Sequence, residues 1–283
     1  MKHKGRIARN VKTTLVHVLL VAFIIVALYP IFYAFVSSFK SAGEILAGQN
    51  LWPEVWHWEN YAEAWNQANF STYTWNTIVY STATMFFCVL MNSMSGYVYA
   101  RGEFPGKNII FAVKTAMMFV ALGSTAMYPQ LQILKALHLN QSLVGLVVQT
   151  IFTGSITYIF MIRSFVMSLP KELDDAATID GCSFMGIFFR ITLPLIRPII
   201  ATIAVLSFKG AWNEYLFPMI VTFSNENRRT LAVGLYYMQT SSSSADWSKM
   251  LPGAIISAVP LVVIYIFLNK YFIESLTVGA VKG

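Results

Sequence analysis

The polar chemistry of this sequence is concentrated in one stretch, about residues 168–198, which we call the acidic loop. Four of the thirteen acidic residues of the chain fall within nine positions of it. Carboxylates at this density can accept charge-assisted hydrogen bonds from basic groups of a partner, and two alanines among them let another surface approach closely. We therefore interpret the acidic loop as a binding element. Its carboxylates are Glu172, Asp174, Asp175 and Asp180, and its paired alanines are Ala176 and Ala177.

A helical elbow is predicted to position these carboxylates. A short helix can run over residues 171–179, with Pro170 tolerated in its first turn. Gly181 suits the position just past the helix end, where glycine adopts a left-handed conformation at little cost. A second amphipathic turn over residues 184–191 then leads to Pro194, where a membrane helix can begin. The elbow would have one polar face and one apolar face.

The composition of the chain is that of a membrane protein. It is 56% hydrophobic and 12% charged, with a mean hydropathy of +0.58, whereas soluble domains carry about 25% charged residues. Because a membrane span needs about 20 mostly apolar residues, we predict an all-α protein with six transmembrane helices. The candidate spans are residues 15–36, 77–99, 109–128, 143–162, 195–221 and 254–269.

The distribution of basic residues predicts the orientation of the chain. Lysine and arginine accumulate at the cytoplasmic ends of spans. With the N-terminus inside, the inner segments hold twelve of the twenty basic residues and the outer segments hold five. Both termini and the acidic loop are therefore predicted to be cytoplasmic. The net charge of +7 is spread over the inner segments, which favours contact with lipid headgroups over nucleic-acid binding.

No pattern for catalysis or metal binding occurs in the sequence. Cys88 and Cys182 fall in different environments, so a disulfide between them is not expected, and no cysteine or histidine grouping has metal-ligand spacing. The Gly-x-x-x-x-Gly-Lys-Ser/Thr loop that cradles nucleotide phosphates is absent. The chain is therefore predicted to be neither an enzyme nor a metal or cofactor protein. If ATP drives it, another polypeptide must bind the nucleotide.

Several motifs in fixed order resemble those of a known family. Residues 175–177 (Asp-Ala-Ala), 180–181 (Asp-Gly), 191, 193–194 (Leu-Pro) and 198 resemble the EAA loop of ABC-importer permeases. Aspartate stands at Asp175 where that loop usually has glutamate, which keeps the charge. Three further segments resemble the carbohydrate, maltose-permease-like branch of the family. These are residues 212–215 (WNEY), 230–235 (TLAVGL) and 270–283 (KYFIESLTVGAVKG).

This resemblance implies a type I ABC importer permease fold of six helices in the bacterial cytoplasmic (inner) membrane. It also implies a second related permease, an ABC ATPase dimer that binds ATP and Mg²⁺, an extracytoplasmic solute-binding protein and a carbohydrate substrate. The acidic loop would be the coupling helix that sits in a groove of the ATPase. The residues that the resemblance assigns to coupling are Glu172, Asp174, Asp175, Ala176, Ala177, Asp180, Gly181 and Pro194.

The predicted domain organisation is simple. Residues 1–12 form a basic cytoplasmic tail, residues 13–270 form the permease domain, and residues 271–283 form a C-terminal tail. The outer segment 37–73 is rich in tryptophan, which suits either the membrane interface or stacking against a sugar ring. The serine run 241–244 is expected to be flexible.

Four residues in or near the fifth span are candidates for the translocation path. Ionisable residues within spans are costly and usually face water or the bundle interior. These residues could offer polar and stacking surface to a sugar, or they could hold helices together, and the sequence leaves both readings open. The four are Lys209, Trp212, Asn213 and Glu214.

Two rival functions compete with this interpretation. An ion-coupled secondary transporter would need carboxylates or broken helices near the middle of the membrane, and Glu214 is the one candidate carboxylate in a predicted span. A polytopic membrane enzyme would need a nucleophile with a base, or a metal constellation, and the sequence shows neither. The ABC permease is therefore the favoured interpretation.

Overall fold

The computed structural model describes residues 2–48, 50–67, 69–120, 123–240 and 247–280. All regular structure in these ranges is helical and no β-strand occurs within them, which confirms the all-α prediction. The α-helices in chain order are α1 (Lys2–Ser37), α2 (Ala42–Ala47), α3 (Glu59–Gln67), α4 (Phe70–Arg101), α5 (Lys107–Met117), α6 (Met127–Ala136), α7 (Leu143–Thr153), α8 (Ile156–Met167), α9 (Glu172–Ile179), α10 (Phe184–Ile187), α11 (Leu193–Leu195), α12 (Arg197–Asn213), α13 (Leu216–Val221), α14 (Leu231–Thr240) and α15 (Trp247–Ala280).

The chain divides into two compact units. The first comprises residues 1–68 and 237–258, and the second comprises residues 69–236 and 259–283. The acidic loop and the predicted path residues all belong to the second unit.

In the first unit, α1 is a candidate membrane span over Lys12–Ser37. Its apolar side chains are exposed around most of the helix, as expected of a helix surrounded by lipid or by other membrane subunits. The predicted basic tail is part of the same helix, because α1 begins at Lys2.

The segment after α1, which is predicted to be outer, is organised around two buried residues. The ring of Phe39 packs against Trp58, Trp56 and Tyr61, with centroid distances of 4.6, 5.2 and 5.2 Å. Lys40 is only 1% exposed, and its ammonium donates a hydrogen bond to the carbonyl of Asn50. A buried charge is tolerated when its hydrogen bonds are satisfied. At least two of the tryptophans therefore pack within the segment, while their role at the interface or toward a sugar stays a prediction.

In the second unit, α4 is the central element and packs against α7, α8 and α12. Small residues permit close approach of membrane helices, and Gly96 is where α4 meets α8. A Cβ atom on Gly96 would lie 2.6 Å from Cγ2 of Ile162 and 3.1 Å from the backbone nitrogen of Arg163. The α4–α8 contact therefore requires glycine at this position.

The described helices account for three to five membrane spans. Three helices are individually long and apolar enough: α1, α4 and the segment Trp247–Phe267 of α15. Two bent pairs, α7 with α8 (50°) and Phe184–Leu195 with α12 (82°), bring the number to five if each pair is one span. The predicted third span, residues 109–128, is divided between α5 and α6, with residues 121 and 122 outside the described ranges. The six-span count and its orientation stay predictions.

Three predicted segments differ from the structure or lie outside it. The fifth predicted span, 195–221, is two helices, because α12 ends at Asn213 and α13 begins at Leu216. The C-terminal tail is helical as far as Ala280. The serine run 241–244 and residues 281–283 lie outside the described residues.

Candidate functional sites: the acidic loop and a polar cavity

The acidic loop contains the predicted short helix. It is α9, and Glu172, Asp174 and Asp175 occupy its first turn. Negative side chains there interact favourably with the positive end of the helix dipole. Gly181 follows with a φ of 81°, a left-handed backbone conformation that residues other than glycine rarely adopt. The chain reverses at this glycine, as predicted.

The second limb of the acidic loop is helical but irregular. The Ser183 hydroxyl caps α10 by accepting the N–H of Gly186 at 3.1 Å. The helix then widens to π geometry over Phe188–Thr192 before the short α11. The π-helix is rare and often marks functional sites. An 82° bend at Ile196 leads into α12, so the membrane helix begins two residues after the predicted Leu195.

An ion pair joins the acidic loop to the end of α4. Nε of Arg101 lies 2.6 Å from Oδ2 of Asp174, and the two side chains are 12% and 17% exposed. Nη2 of Arg101 also donates to the carbonyl of Leu169 at 2.9 Å. Within the described residues no hydrogen bond of good geometry reaches Nε or Oδ2. The electrostatic attraction between the two closely spaced charges therefore compensates for the cost of burying them.

Tyr97, one turn before Arg101, contacts the second limb. Its hydroxyl donates to the carbonyl of Phe184 at 3.3 Å. Its ring centroid lies 4.6 Å from that of Phe184 and 5.2 Å from that of Phe188. Ala177 is buried in the same apolar cluster, so one of the two paired alanines faces the core and Ala176 faces outward.

The outward face of the acidic loop combines negative charge with apolar surface. Glu172, Asp175 and Asp180 are exposed, and Ile179 is 86% exposed at the end of α9. A single exposed apolar side chain is common on protein surfaces, so Ile179 indicates an interaction site only in combination with the surrounding carboxylates and the family resemblance of the loop.

A polar cavity of about 380 Å³ lies among α4, α7, α8, α12 and their neighbours. On α4 it is lined by Tyr80, Thr84 and Cys88, which repeat every four residues along one helix face. The remaining polar lining consists of amides, hydroxyls and one carboxylate: Gln130, Gln149, Thr150, Thr153, Ser155, Tyr158, Ser207 and Glu214.

Two helix interruptions border the polar cavity. Between α7 and α8, Gly154 has a φ of 56°, and the N–H of Ser155 donates to Oδ1 of Asn92 at 3.0 Å. Asn92 is itself buried and donates to the carbonyl of Cys88 at 2.6 Å. At the end of α12, Oε1 of Glu214 accepts the N–H of Phe217 at 3.4 Å. Side chains thus satisfy backbone groups that the broken helices leave free.

The family described as "Binding-protein-dependent transport system inner membrane component" matches residues 1–276 of this chain. The chain belongs to that family. It is thus a multi-pass inner-membrane permease subunit, and the ion-coupled secondary transporter is set aside although broken helices are present.

Relatives that match this chain over most of their own length are also named as permeases. The permease is 33% identical to the probable ABC transporter permease protein YurM of Bacillus subtilis (strain 168), over 100% of this chain and 93% of that protein. It is 35% identical to the arabinooligosaccharides transport system permease protein AraQ of the same organism, over 90% of this chain and 91% of that protein. With the diacetylchitobiose uptake system permease protein NgcG of Streptomyces coelicolor it shares 30% identity over 94% of this chain and 88% of that protein.

A solved structure has the same fold. A chain of a bacterial ABC transporter involved in import of the acidic polysaccharide alginate superposes with a TM-score of 0.80 at 22% identity, covering 93% of this permease and 97% of that chain. The ABC importer permease fold predicted from the acidic loop is therefore confirmed.

The structure separates the four predicted path residues of the permease. Glu214 lines the polar cavity. Trp212 is buried and stacks on Phe208, with centroids 5.5 Å apart. Asn213 is exposed and donates to the carbonyl of Lys209 at 2.9 Å, and Lys209 lines a different, apolar pocket between α12 and α15.

Sequence reasoning missed the amides, hydroxyls and tyrosines of α4, α6, α7 and α8 that line the cavity. Gln149, within the predicted fourth span, is a usable signal, because an amide in a span needs a polar surrounding; Gln130 lies outside the predicted spans and gives no such signal. No such signal pairs Arg101 with Asp174, which are distant in sequence. In the part of the chain that the structure describes, no group of three or more His, Cys, Asp or Glu residues could hold a metal ion.

Proposed function

We propose that this permease forms half of the translocation pathway of an ATP-driven, binding-protein-dependent importer of sugars or oligosaccharides. Two of its relatives at 30% identity or more are named for arabinooligosaccharide and diacetylchitobiose transport. The polar cavity supports a carbohydrate, because its amides and hydroxyls can both donate to and accept from sugar hydroxyl groups.

The permease would act with a second related permease, an ABC ATPase dimer and an extracytoplasmic solute-binding protein. ATP and Mg²⁺ would be bound by the ATPase, and the permease itself would carry out no covalent chemistry. Substrate would pass from the binding protein into a cavity shared by the two permeases.

The acidic loop would be the element that docks on the ATPase. Glu172, Asp175 and Asp180 offer charge to basic groups of the ATPase, and Ile179 offers an apolar anchor. Gly181 permits the chain reversal that makes the loop project. When the ATPase dimer closes, the loop would move with it.

One observation supports this mechanism most directly: α4 lines the polar cavity and also contacts both limbs of the acidic loop. Tyr80, Thr84 and Cys88 face the cavity, while Tyr97 and Arg101 on the same uninterrupted helix contact the loop. Movement of the loop would therefore shift the cavity wall as one rigid element.

The proposal is tested with the complete complex reconstituted in liposomes with its binding protein. ATP-dependent uptake of a panel of radiolabelled di- and trisaccharides is expected. Asp175→Lys should lower uptake about tenfold or more while the subunit remains inserted, since a reversed charge at a docking surface costs several kcal/mol. Gly181→Ala should lower uptake as well, because alanine rarely adopts the left-handed conformation that residue 181 has. Glu103→Lys, an exposed acid in the 102–106 turn, is the matched control and should leave uptake unchanged. Uptake at the unmutated rate in both loop variants would disprove docking through this loop.

A further inference from the structure

We infer that Arg101 and Asp174 form a positioning pair that transmits movement of α9 to α4, and that Asp174 is not an ATPase contact. This inference rests on the proposed function of the acidic loop. It assigns two adjacent carboxylates to different partners: Asp174 contacts Arg101 of the permease, and Asp175 contacts the ATPase.

The four carboxylates of the acidic loop are not equivalent. Glu172, Asp175 and Asp180 are exposed, whereas the side chain of Asp174 is 17% exposed and faces Arg101. A helix turns about 100° per residue, so residues 174 and 175 point in different directions. Asp174 thus faces the permease, and its neighbour faces outward.

The geometry of the pair suits a mechanical link. The guanidinium of Arg101 contacts two points of the loop at once, Oδ2 of Asp174 and the carbonyl of Leu169. These points lie on either side of Pro170, so the guanidinium holds both the start of α9 and the chain that enters it. Neither Nε nor Oδ2 has a substitute hydrogen bond in the described residues. Separating the two charges would leave both uncompensated, which favours movement as a unit.

The second contact of α4 with the loop is of a different kind. Tyr97 reaches the other limb mainly through its ring, against Phe184 and Phe188. Apolar rings can slide past each other at small cost, whereas separating two largely buried opposite charges is costly, and the hydrogen bond from Nη2 of Arg101 to the Leu169 carbonyl adds a second fixed point. The ion pair is therefore the contact that fixes the orientation of α9 on α4.

The alternative is that the pair only stabilises the fold. The two roles differ in one measurable quantity, the number of sugar molecules imported per ATP hydrolysed. A purely structural pair would change the amount of intact complex and its melting temperature, but each surviving complex would transport with the unmutated ratio. A transmitting pair changes the ratio itself.

The experiment uses the complete complex with its binding protein in liposomes, with the radiolabelled disaccharide that gives the fastest uptake. Uptake, ATP hydrolysis and melting temperature are measured for Arg101→Asp, Asp174→Arg and the double exchange. Each single variant should lower the sugar-to-ATP ratio about tenfold, because it places like charges together in a half-buried site. The double exchange should restore the ratio to within about threefold, the usual range of context effects on a re-formed pair. Glu103→Arg in the adjacent turn is the matched charge control and should keep the unmutated ratio.

Two results would overturn the inference: an unmutated ratio in the single variants, or no recovery in the double exchange. If the charge-reversed variants do not assemble, Arg101→Lys and Asp174→Asn replace them and the same ratio decides. The Asp175→Lys variant separates this inference from the proposed function. If Asp175→Lys uncouples transport and the Arg101 and Asp174 variants do not, only the inference fails. If Asp175→Lys has no effect, docking through the loop fails as well.

Discussion

At the scale of single residues, the function of a polar side chain in this permease depends on which backbone group it hydrogen-bonds or which charged group it contacts. Asn92 illustrates this. It is buried on α4, and its amide bridges the Cys88 carbonyl of its own helix and the Ser155 N–H at the break between α7 and α8. Water is scarce inside a membrane, so each of these groups depends on its protein partner.

Replacing Asn92 with leucine should therefore destabilise the permease. The Ser155 N–H would lose its acceptor at the break, at a cost of about 1–3 kcal/mol. The expected result is a lower melting temperature of the purified complex and slower sugar uptake. Asn108→Leu, on the exposed surface of α5, is the control and should melt with the unmutated protein. An unchanged melting temperature in Asn92→Leu would show that the break is stabilised by something else.

At the scale of elements, α4 is the part of the fold on which the proposed mechanism depends. It lines the polar cavity between Tyr80 and Cys88 and contacts the acidic loop at its end, and between these points it packs closely on α8 at Gly96. A closely packed helix pair is expected to move as one body, because tightly packed interiors transmit displacement.

The Gly96 contact can be tested directly. Gly96→Ala should destabilise the purified complex by about 1–3 kcal/mol, because the new methyl overlaps Ile162 and crowds the backbone of α8. Combining it with Ile162→Ala should cost less than the sum of the two single changes, since the smaller side chain makes room. Thermal unfolding of the four proteins gives this comparison.

Gly43→Ala is the matched control, since no heavy atom lies within 4 Å of the added Cβ in α2. It should leave the melting temperature unchanged or slightly raised. Additive losses in the Gly96 and Ile162 double variant would mean that the two residues do not interact.

At the scale of the whole molecule, the permease combines a polar cavity with an acidic loop, and its sequence has no nucleotide-binding motif. Its function therefore depends on the predicted topology, in which the acidic loop faces the compartment that contains ATP. The twelve-to-five distribution of basic residues between inner and outer segments predicts that arrangement.

The native thiol of Cys182 makes the topology of the acidic loop testable. Cys182 is half-buried in the acidic loop and Cys88 is buried in α4. A membrane-impermeant maleimide should label Cys182 in inside-out vesicles and leave it unlabelled in right-side-out cells. A Cys182→Ser, Glu54→Cys variant carries its thiol in the predicted outer segment and should show the reverse pattern. Labelling of Cys182 from outside would invert the orientation and remove the basis for ATPase docking.

Much of this architecture was readable from the sequence because it depends on local chemistry. The α9 helix, the reversal at Gly181 and the start of α12 near Pro194 and Pro198 follow from proline, glycine and the spacing of apolar residues. The apolar composition required membrane helices, and the ordered motifs of the acidic loop indicated the family. Glu214 was predicted to be a path residue because a carboxylate near a span is costly without a polar environment; it lines the polar cavity, and its role in transport stays a prediction.

The remaining features depend on contacts between residues far apart in the chain. The break in the fourth predicted span lies in a largely apolar stretch, where hydropathy cannot distinguish one helix from two, whereas the break in the fifth lies beside the polar residues Asn213 and Glu214. The direction of each carboxylate in the acidic loop depends on where α4 ends, and Arg101 is the residue that separates Asp174 from its neighbours. The sequence by itself determined the helices, the family and the acidic loop, since these are set by local composition and order. Only the tertiary structure decided which side chains share the cavity and which carboxylate faces inward, because packing brings those groups together.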